Sequence, residues 1–170
     1  MRVYTVLSIV PTLILMVIIK YRQKLFEDEW KVLKQRNTWE MIFYSFCISF
    51  MGYGLLTSIS YYMLDPPLVH KTQTPIMIIY AVLFSPIFEE LICRKLILNQ
   101  LNKHTNKNTS ILISAIVFSV LHFDLVSLLG YVFLGIVWGY YYKKSNSIFV
   151  PIVSHFLFNY FIILIQSVRG

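Results

Sequence analysis

The stretch Phe84-Ser85-Pro86-Ile87-Phe88-Glu89-Glu90-Leu91-Ile92-Cys93-Arg94 sets two adjacent carboxylates and a guanidinium inside an otherwise apolar run. From residue 75 to residue 98 the chain is mostly Ile, Leu, Phe, Met and Val. At about 1.5 Å per residue, that run is long enough to cross a hydrocarbon core of about 30 Å as a helix. A charge at bilayer depth costs about 2.5–3.5 kcal/mol on insertion scales, so charges kept there pair with one another or face a wet cavity. Glu90 and Arg94, four residues apart, share a helix face and can pair. Glu89 points about 100° away and is free to meet another helix. Pro86 has no N–H and predicts a kink near Val82, tolerated where other helices or water satisfy the loosened backbone. Kink, carboxylates and arginine together read as the floor of a buried polar site. The plain alternative is an ion pair that only orients a bundle.

The rest of the composition agrees with a membrane setting. The 170 residues are 57% hydrophobic, 16% aromatic and 14% charged, with a mean hydropathy of +0.65. A soluble globular domain carries about 25% charged residues. The formal net charge is +7. The basic residues fall in loops between apolar runs, which the positive-inside rule explains without a nucleic-acid partner. Cys47 and Cys93 sit within apolar runs and form no disulfide framework; small buried hydrophobes are their ordinary role.

Working outward, apolar runs cover residues 3–19, 39–64, 75–98, 109–123, 127–142 and 148–166. About six spans result, and the expected fold is all-α: a polytopic transmembrane helical bundle forming a single integral membrane domain over residues 1–170. The first run follows Arg2 but lacks a small-residue cleavage site, so it reads as a retained span. Lys20, Arg22, Lys24, Lys31, Lys34 and Arg36 then surround Glu27, Asp28 and Glu29, with Phe26, Trp30 and Leu33 as an apolar stripe on the membrane face. Basic loops alternate with poorly charged ones, which predicts both termini outside and three basic loops in the cytoplasm. Gly52, Gly54, Gly130, Gly135 and Gly139 are placed for close helix contact.

Three of these runs carry polar groups that hydrocarbon rejects. The central one has Glu89, Glu90 and Arg94, the fourth ends in His122, and the last has His155 and Asn159 on one face. A polar cavity between the third, fourth and last helices is expected. Carboxylate, imidazole and amide converging there suit hydrolysis, with a base for water and donors for an oxyanion. The same groups suit a divalent metal, zinc or another, with Glu and His as ligands. Taken singly, each residue also has an ordinary reading. His122 could meet interfacial water, and His155 and Asn159 could be interhelical glue. Ser85, Ser119 and Ser154 could be nucleophiles near a histidine or simply packing residues, Cys93 a thiol nucleophile or a buried hydrophobe, and His104 and Asp124 solvated loop residues.

Glu89-Glu90-x-x-x-Arg94, Phe118-x-x-x-His122 and His155-x-x-x-Asn159 resemble, in order and on separate apolar runs, the three motifs of the CPBP family. That family holds the type II CAAX prenyl endopeptidases and the bacterial Abi proteins linked to bacteriocin self-immunity. The resemblance covers residues 76–165, which would be the catalytic core. It implies an intramembrane endopeptidase acting on a membrane-associated peptide, surrounded by membrane lipid. By resemblance, Glu89 is the general base and His122 helps hold the attacking water. His155 and Asn159 stabilise the oxyanion, and Glu90 and Arg94 support the site, with a direct catalytic part for Glu90 as the alternative. The family has been described both as glutamate-type and as metal-dependent. In the second case Glu89, His122 and His155 are the ligands; Asn159 suits an oxyanion donor better than a metal ligand.

Two other functions fit the same residues: a non-catalytic bacteriocin-immunity or scaffold protein, and a proton-coupled transporter. No inverted repeat supports the transporter. The expected location is a cell membrane, multi-pass, and the Lys- and Asn-containing loops point to a bacterial cytoplasmic membrane.

Overall fold

The computed structural model describes residues 29–67 and 74–169. Among them there is helix and no strand. A short 3-10 helix, Glu29–Lys34, leads into α1 (Arg36–Leu64). There follow α2 (Pro75–Leu101), α3 (Lys107–Val120), α4 (Leu128–Ser145) and α5 (Phe149–Arg169). The expected first span, residues 3–19, and most of the basic segment after it lie outside the described residues.

Three described helices, α1, α2 and α5, are long and apolar enough to cross a membrane. The chain is a multi-pass membrane protein. With 14 residues, α3 is only about 21 Å long, shorter than a hydrocarbon core. Lys143 and Lys144 end α4. The bundle is apolar on the outside, as lipid requires. On α1, Ser45, Ser49, Thr57 and Ser60 are buried, while Met51, Leu55 and Tyr62 face outward. Lipid tails give large side chains no reason to hide, so close helix contact falls to small residues.

Each helix end has a local cause. Asp65 adopts a left-handed conformation (φ 42°) at the end of α1, and Pro66 and Pro67 follow. The Asn106 side chain accepts a hydrogen bond from Thr109 N and starts α3. Asn146, with φ 53°, ends α4. Glu29 accepts from Ile148 N at 2.6 Å where α5 begins and pairs with Lys95 of α2, which docks the 3-10 helix onto the bundle.

α4 is the hub: it packs on α3 and α1 and reaches α5. A Cβ on Gly135 would meet Ala115 Cα of α3 at 2.6 Å, and one on Gly52 would overlap the Phe133 ring. These two glycines meet the expected role, as does Gly130 against Tyr53 and Thr57. Gly54 does not; it faces open space.

α2 is not a uniform α-helix. An α-helical segment, Ser85–Glu90, is flanked by π-helical segments at Tyr80–Phe84 and Leu91–Leu98. In a π-helix each N–H reaches back five residues, and Ser85 N donates to Tyr80 O in that way. The next such bond would run from Pro86 N to Ala81 O, and proline has no hydrogen to give. The irregularity expected near Val82 is therefore a π-helical turn.

Candidate active site

The two carboxylates diverge as their 100° offset requires. Glu90 turns into the core. Its Oε2 lies 2.9 Å from Arg94 Nε, both side chains fully buried. The N–H does not aim closely enough to make this a hydrogen bond, and Arg94 Nη2 has no hydrogen-bond partner. Arg94 Nη1 donates to Ser114 Oγ of α3 at 3.3 Å, and the guanidinium lies 5.3 Å from the centre of the Phe118 ring. The other carboxylate oxygen of Glu90 meets His155 Nδ1 of α5 at 3.1 Å.

Glu89 turns toward α3 and α5 and stays partly exposed. The Ser85 hydroxyl, one turn back, donates to its Oε1. Its Oε2 is buried without a hydrogen-bond partner. Two imidazole atoms face that oxygen, His122 Nε2 at 3.7 Å and His155 Nε2 at 3.8 Å. Both gaps are too long for a direct hydrogen bond.

The other ring nitrogens decide what these atoms offer. His122 Nδ1 is 2.8 Å from Phe118 O, a carbonyl that can only accept, so the ring proton sits on Nδ1. His155 Nδ1 faces a carboxylate already paired with a guanidinium, so it too donates. In the neutral rings both Nε2 atoms then present lone pairs to Glu89 Oε2. Three acceptors around one point call for a donor between them, and water supplies two protons.

The structure thus gathers Glu89, Glu90, Arg94, His122 and His155. His122 lies just past α3 rather than on it, because the helix ends at Val120 and Phe123 takes a left-handed conformation (φ 50°). Asn159 lies one turn beyond His155 and donates from Nδ2 to Ala81 O at 2.8 Å, the carbonyl that Pro86 cannot satisfy. A small pocket opens at the cluster, lined by Glu89, Ile92, Cys93, Phe118, Leu121 and His122. Its walls come from α2, α3 and the turn after α3. The last helix brings His155 to within 3.8 Å of Glu89, which lines this pocket.

By type, Glu89, His122 and His155 match the donors of a zinc site. Their 3.7 and 3.8 Å spacings exceed the roughly 3.3 Å that two ligands on one tetrahedral zinc keep at 2.0–2.1 Å each. Among the described residues no three His, Cys, Asp or Glu side chains form a group that could hold a metal ion.

Three side chains at the site, Ser114, Tyr131 and Trp138, escaped the sequence reading. Ser114 is a small hydroxyl that only the fold places beside charge, whereas Ser85, which the sequence reading did name, meets Glu89 one turn along the same helix. Tyr131 stacks on His122 with ring centres 4.0 Å apart, and Trp138 stacks on His155 at 3.9 Å. The seven-residue spacing of these aromatics along α4 was the available signal. The remaining hydroxyls are engaged in packing: Ser119 donates to Leu128 O and Ser154 to Ser45 Oγ. Asp124 accepts from Val126 N and Ser127 N, and His104 is exposed.

Comparison with known proteins adds the family. Residues 71–161 match the model of the type II CAAX prenyl endopeptidase Rce1-like family. A Bacillus subtilis (strain 168) protein named "Putative membrane peptidase YdiL" is 33% identical over 130 residues, covering 71% of this chain and 53% of its own. The chain therefore spans about half the length of that curated relative. No solved structure matches the chain significantly. With its three motif segments meeting around Glu89 and more than half of its length matched, the chain belongs to the Rce1-like family of type II CAAX prenyl endopeptidases.

Proposed function

We propose that the protein is an intramembrane endopeptidase that hydrolyses a peptide bond in a membrane-associated peptide, with Glu89 as the general base. The observation that carries this reading is the unpartnered Glu89 Oε2 faced by two imidazole Nε2 atoms. A water bonded there is held by lone pairs and has its proton drawn toward a carboxylate. Glu89 takes that proton as the oxygen adds to the peptide carbonyl. His122, its ring fixed by Phe118 O, orients the water.

The oxyanion that forms needs donors. His155 Nε2 is one when the ring carries a second proton taken up from solvent, which it keeps through the turnover while Glu89 and His122 hold the water. Asn159 is the other: its amide has two N–H bonds, and Ala81 O takes one of them. Collapse of the intermediate expels the amine, which takes up the proton held by Glu89. Glu90 and Arg94 support this arrangement through His155. Residues 76–165 form the catalytic core within one membrane domain, and the apolar rim formed by Ile92, Phe118 and Leu121 suits an apolar substrate residue.

The test is cleavage of quenched fluorescent membrane peptides by the purified chain in detergent, for wild type and Glu89→Gln, with and without a strong zinc chelator. Loss of cleavage in Glu89→Gln, persistence under chelation and no stoichiometric zinc by elemental analysis are expected. Undiminished cleavage by Glu89→Gln overturns the base assignment, and absence of cleavage by the wild type favours the immunity or scaffold role. Loss on chelation overturns the glutamate-type mechanism.

A further inference from the structure

We infer that the lysine-bearing end of the α3–α4 pair is a binding site for an anionic phospholipid, whose phosphate is held by Lys107 and Lys144 beside the Tyr140 ring. Lys107 opens α3, and Lys144 lies in the last turn of α4. Both lay their ammonium groups over the one ring of Tyr140, each 5.8 Å from its centre. Lys107, Tyr140 and Lys144 are all exposed. Lys143 donates to Asn99 Oδ1 at 2.9 Å, and Lys107 is near enough to it for the two ammoniums to repel. A positive-inside bias asks only for lysines somewhere in a loop. Here two helices bring them onto one aromatic ring.

Charge gathered in this way calls for an anion, and no side chain among the described residues supplies it. Glu29 is engaged by Lys95 and Ile148 N, and Glu40 by Arg36. Glu89 and Glu90 belong to the candidate active site. Asp65 ends α1, and Asp124 accepts from the backbone of the turn at the far end of α3. The start of α3 adds to the attraction. The Asn106 side chain takes up Thr109 N, which leaves the N–H groups of Lys107 and Asn108 without an intrahelical partner at the positive end of the helix dipole.

Two features select a lipid over a free anion. First, α3 has 14 residues and is too short to cross a hydrocarbon core. A short helix is matched by thinning of the bilayer and by snorkelling of its flanking side chains, and both bring lipid phosphates to its end. Second, the exposed surface deeper along both helices is apolar. Leu112 and Ile116 lie one turn apart on α3, and Ile136 lies one turn inward of Tyr140 on α4. Acyl chains can follow those side chains while the headgroup meets the lysines. A zwitterionic headgroup carries its own ammonium, so the lysines favour a headgroup of net negative charge, such as phosphatidylglycerol. The site lies at the opposite end of α3 from His122 and does not depend on the reaction assigned to Glu89.

The test uses the full chain in a non-ionic detergent, titrated with short-chain phosphatidylglycerol or with phosphatidylcholine of the same chain length. Native mass spectrometry of the complexes gives the affinities. Glycerol phosphate, the headgroup without acyl chains, is the third probe. Wild type should bind phosphatidylglycerol at least about tenfold more tightly than phosphatidylcholine. Glycerol phosphate should not displace it. Lys107→Gln and Lys144→Gln should each weaken phosphatidylglycerol about fivefold, and the double variant about 30-fold, with phosphatidylcholine unchanged. Lys103→Gln is the control for charge in general, because Lys103 donates to Gln100 in the adjoining loop and not to this ring. It should leave the affinity nearly unchanged. Unfolding curves check that the variants, all at exposed positions, stay folded. Equal binding of the two lipids overturns the inference, as does a double variant that binds phosphatidylglycerol like wild type. A Lys103→Gln loss as large as that of Lys144→Gln overturns it too, by showing a diffuse charge instead of a site. Displacement by glycerol phosphate at the concentrations where phosphatidylglycerol binds overturns the lipid occupant.

Discussion

The Asn159 amide donates at 2.8 Å to Ala81 O, closing a gap that Pro86 opens in the backbone of α2. A membrane helix cannot leave a carbonyl bare in hydrocarbon, and here a side chain from α5 takes the place of the missing N–H. The contact ties the helix bearing His155 to the π-helical turn about two turns before Glu89. Asn159 therefore bears on the site through the backbone as well as through its proposed role at the oxyanion.

This relationship predicts a coupled pair. Asn159→Ala should lower stability by about 1–2 kcal/mol, the effect of stranding a buried acceptor. Pro86→Ala restores an N–H to α2, so the same Asn159 substitution should cost about 1 kcal/mol less in that background. Thermal unfolding of the four proteins in one detergent measures the coupling, and strict additivity would show that the two residues act independently.

Glu89→Gln keeps the volume and the bond from Ser85 but removes the base. Peptide cleavage should fall about 10²–10⁴-fold, the usual range for loss of general-base catalysis, while the unfolding temperature stays within a degree or two. Steady-state cleavage beside a melting curve separates the two effects.

The Glu90–Arg94 pair is a matter of stability first. Arg94→Met leaves a fully buried carboxylate without its cation and should destabilise by about 3–5 kcal/mol. Adding Glu90→Leu removes the stranded charge and should recover most of the folding. Activity should not return with it, because His155 Nδ1 has lost its acceptor. Yield of folded protein and cleavage rate, measured on both variants, check the two halves.

Two glycines should behave oppositely. Gly135→Ala drives a methyl into the Ala115 backbone and should cost about 1–3 kcal/mol by prising α3 from α4. Gly54→Ala adds a methyl to open space and gains helix propensity, so it should be neutral or stabilising by up to about 1 kcal/mol. Paired unfolding curves decide both.

Much of this molecule could be read from the chain alone. Hydropathy marks the helices because the bilayer demands long apolar runs, and the described helices begin and end within three residues of the runs read for them. The 100° turn per residue separates Glu89 from Glu90 and aligns Glu90 with Arg94, since both follow from helix geometry. Order and spacing of the charged residues pointed to the family. Tertiary packing decided the rest, because it depends on how the helices rotate about their axes. That rotation put Tyr131 and Trp138 against the imidazoles and Ser114 against Arg94. It turned Asn159 toward a carbonyl five residues before Pro86, and Gly54 away from every neighbour. One-dimensional spacing carries no record of such rotations, which are set by side-chain contacts between segments far apart in sequence.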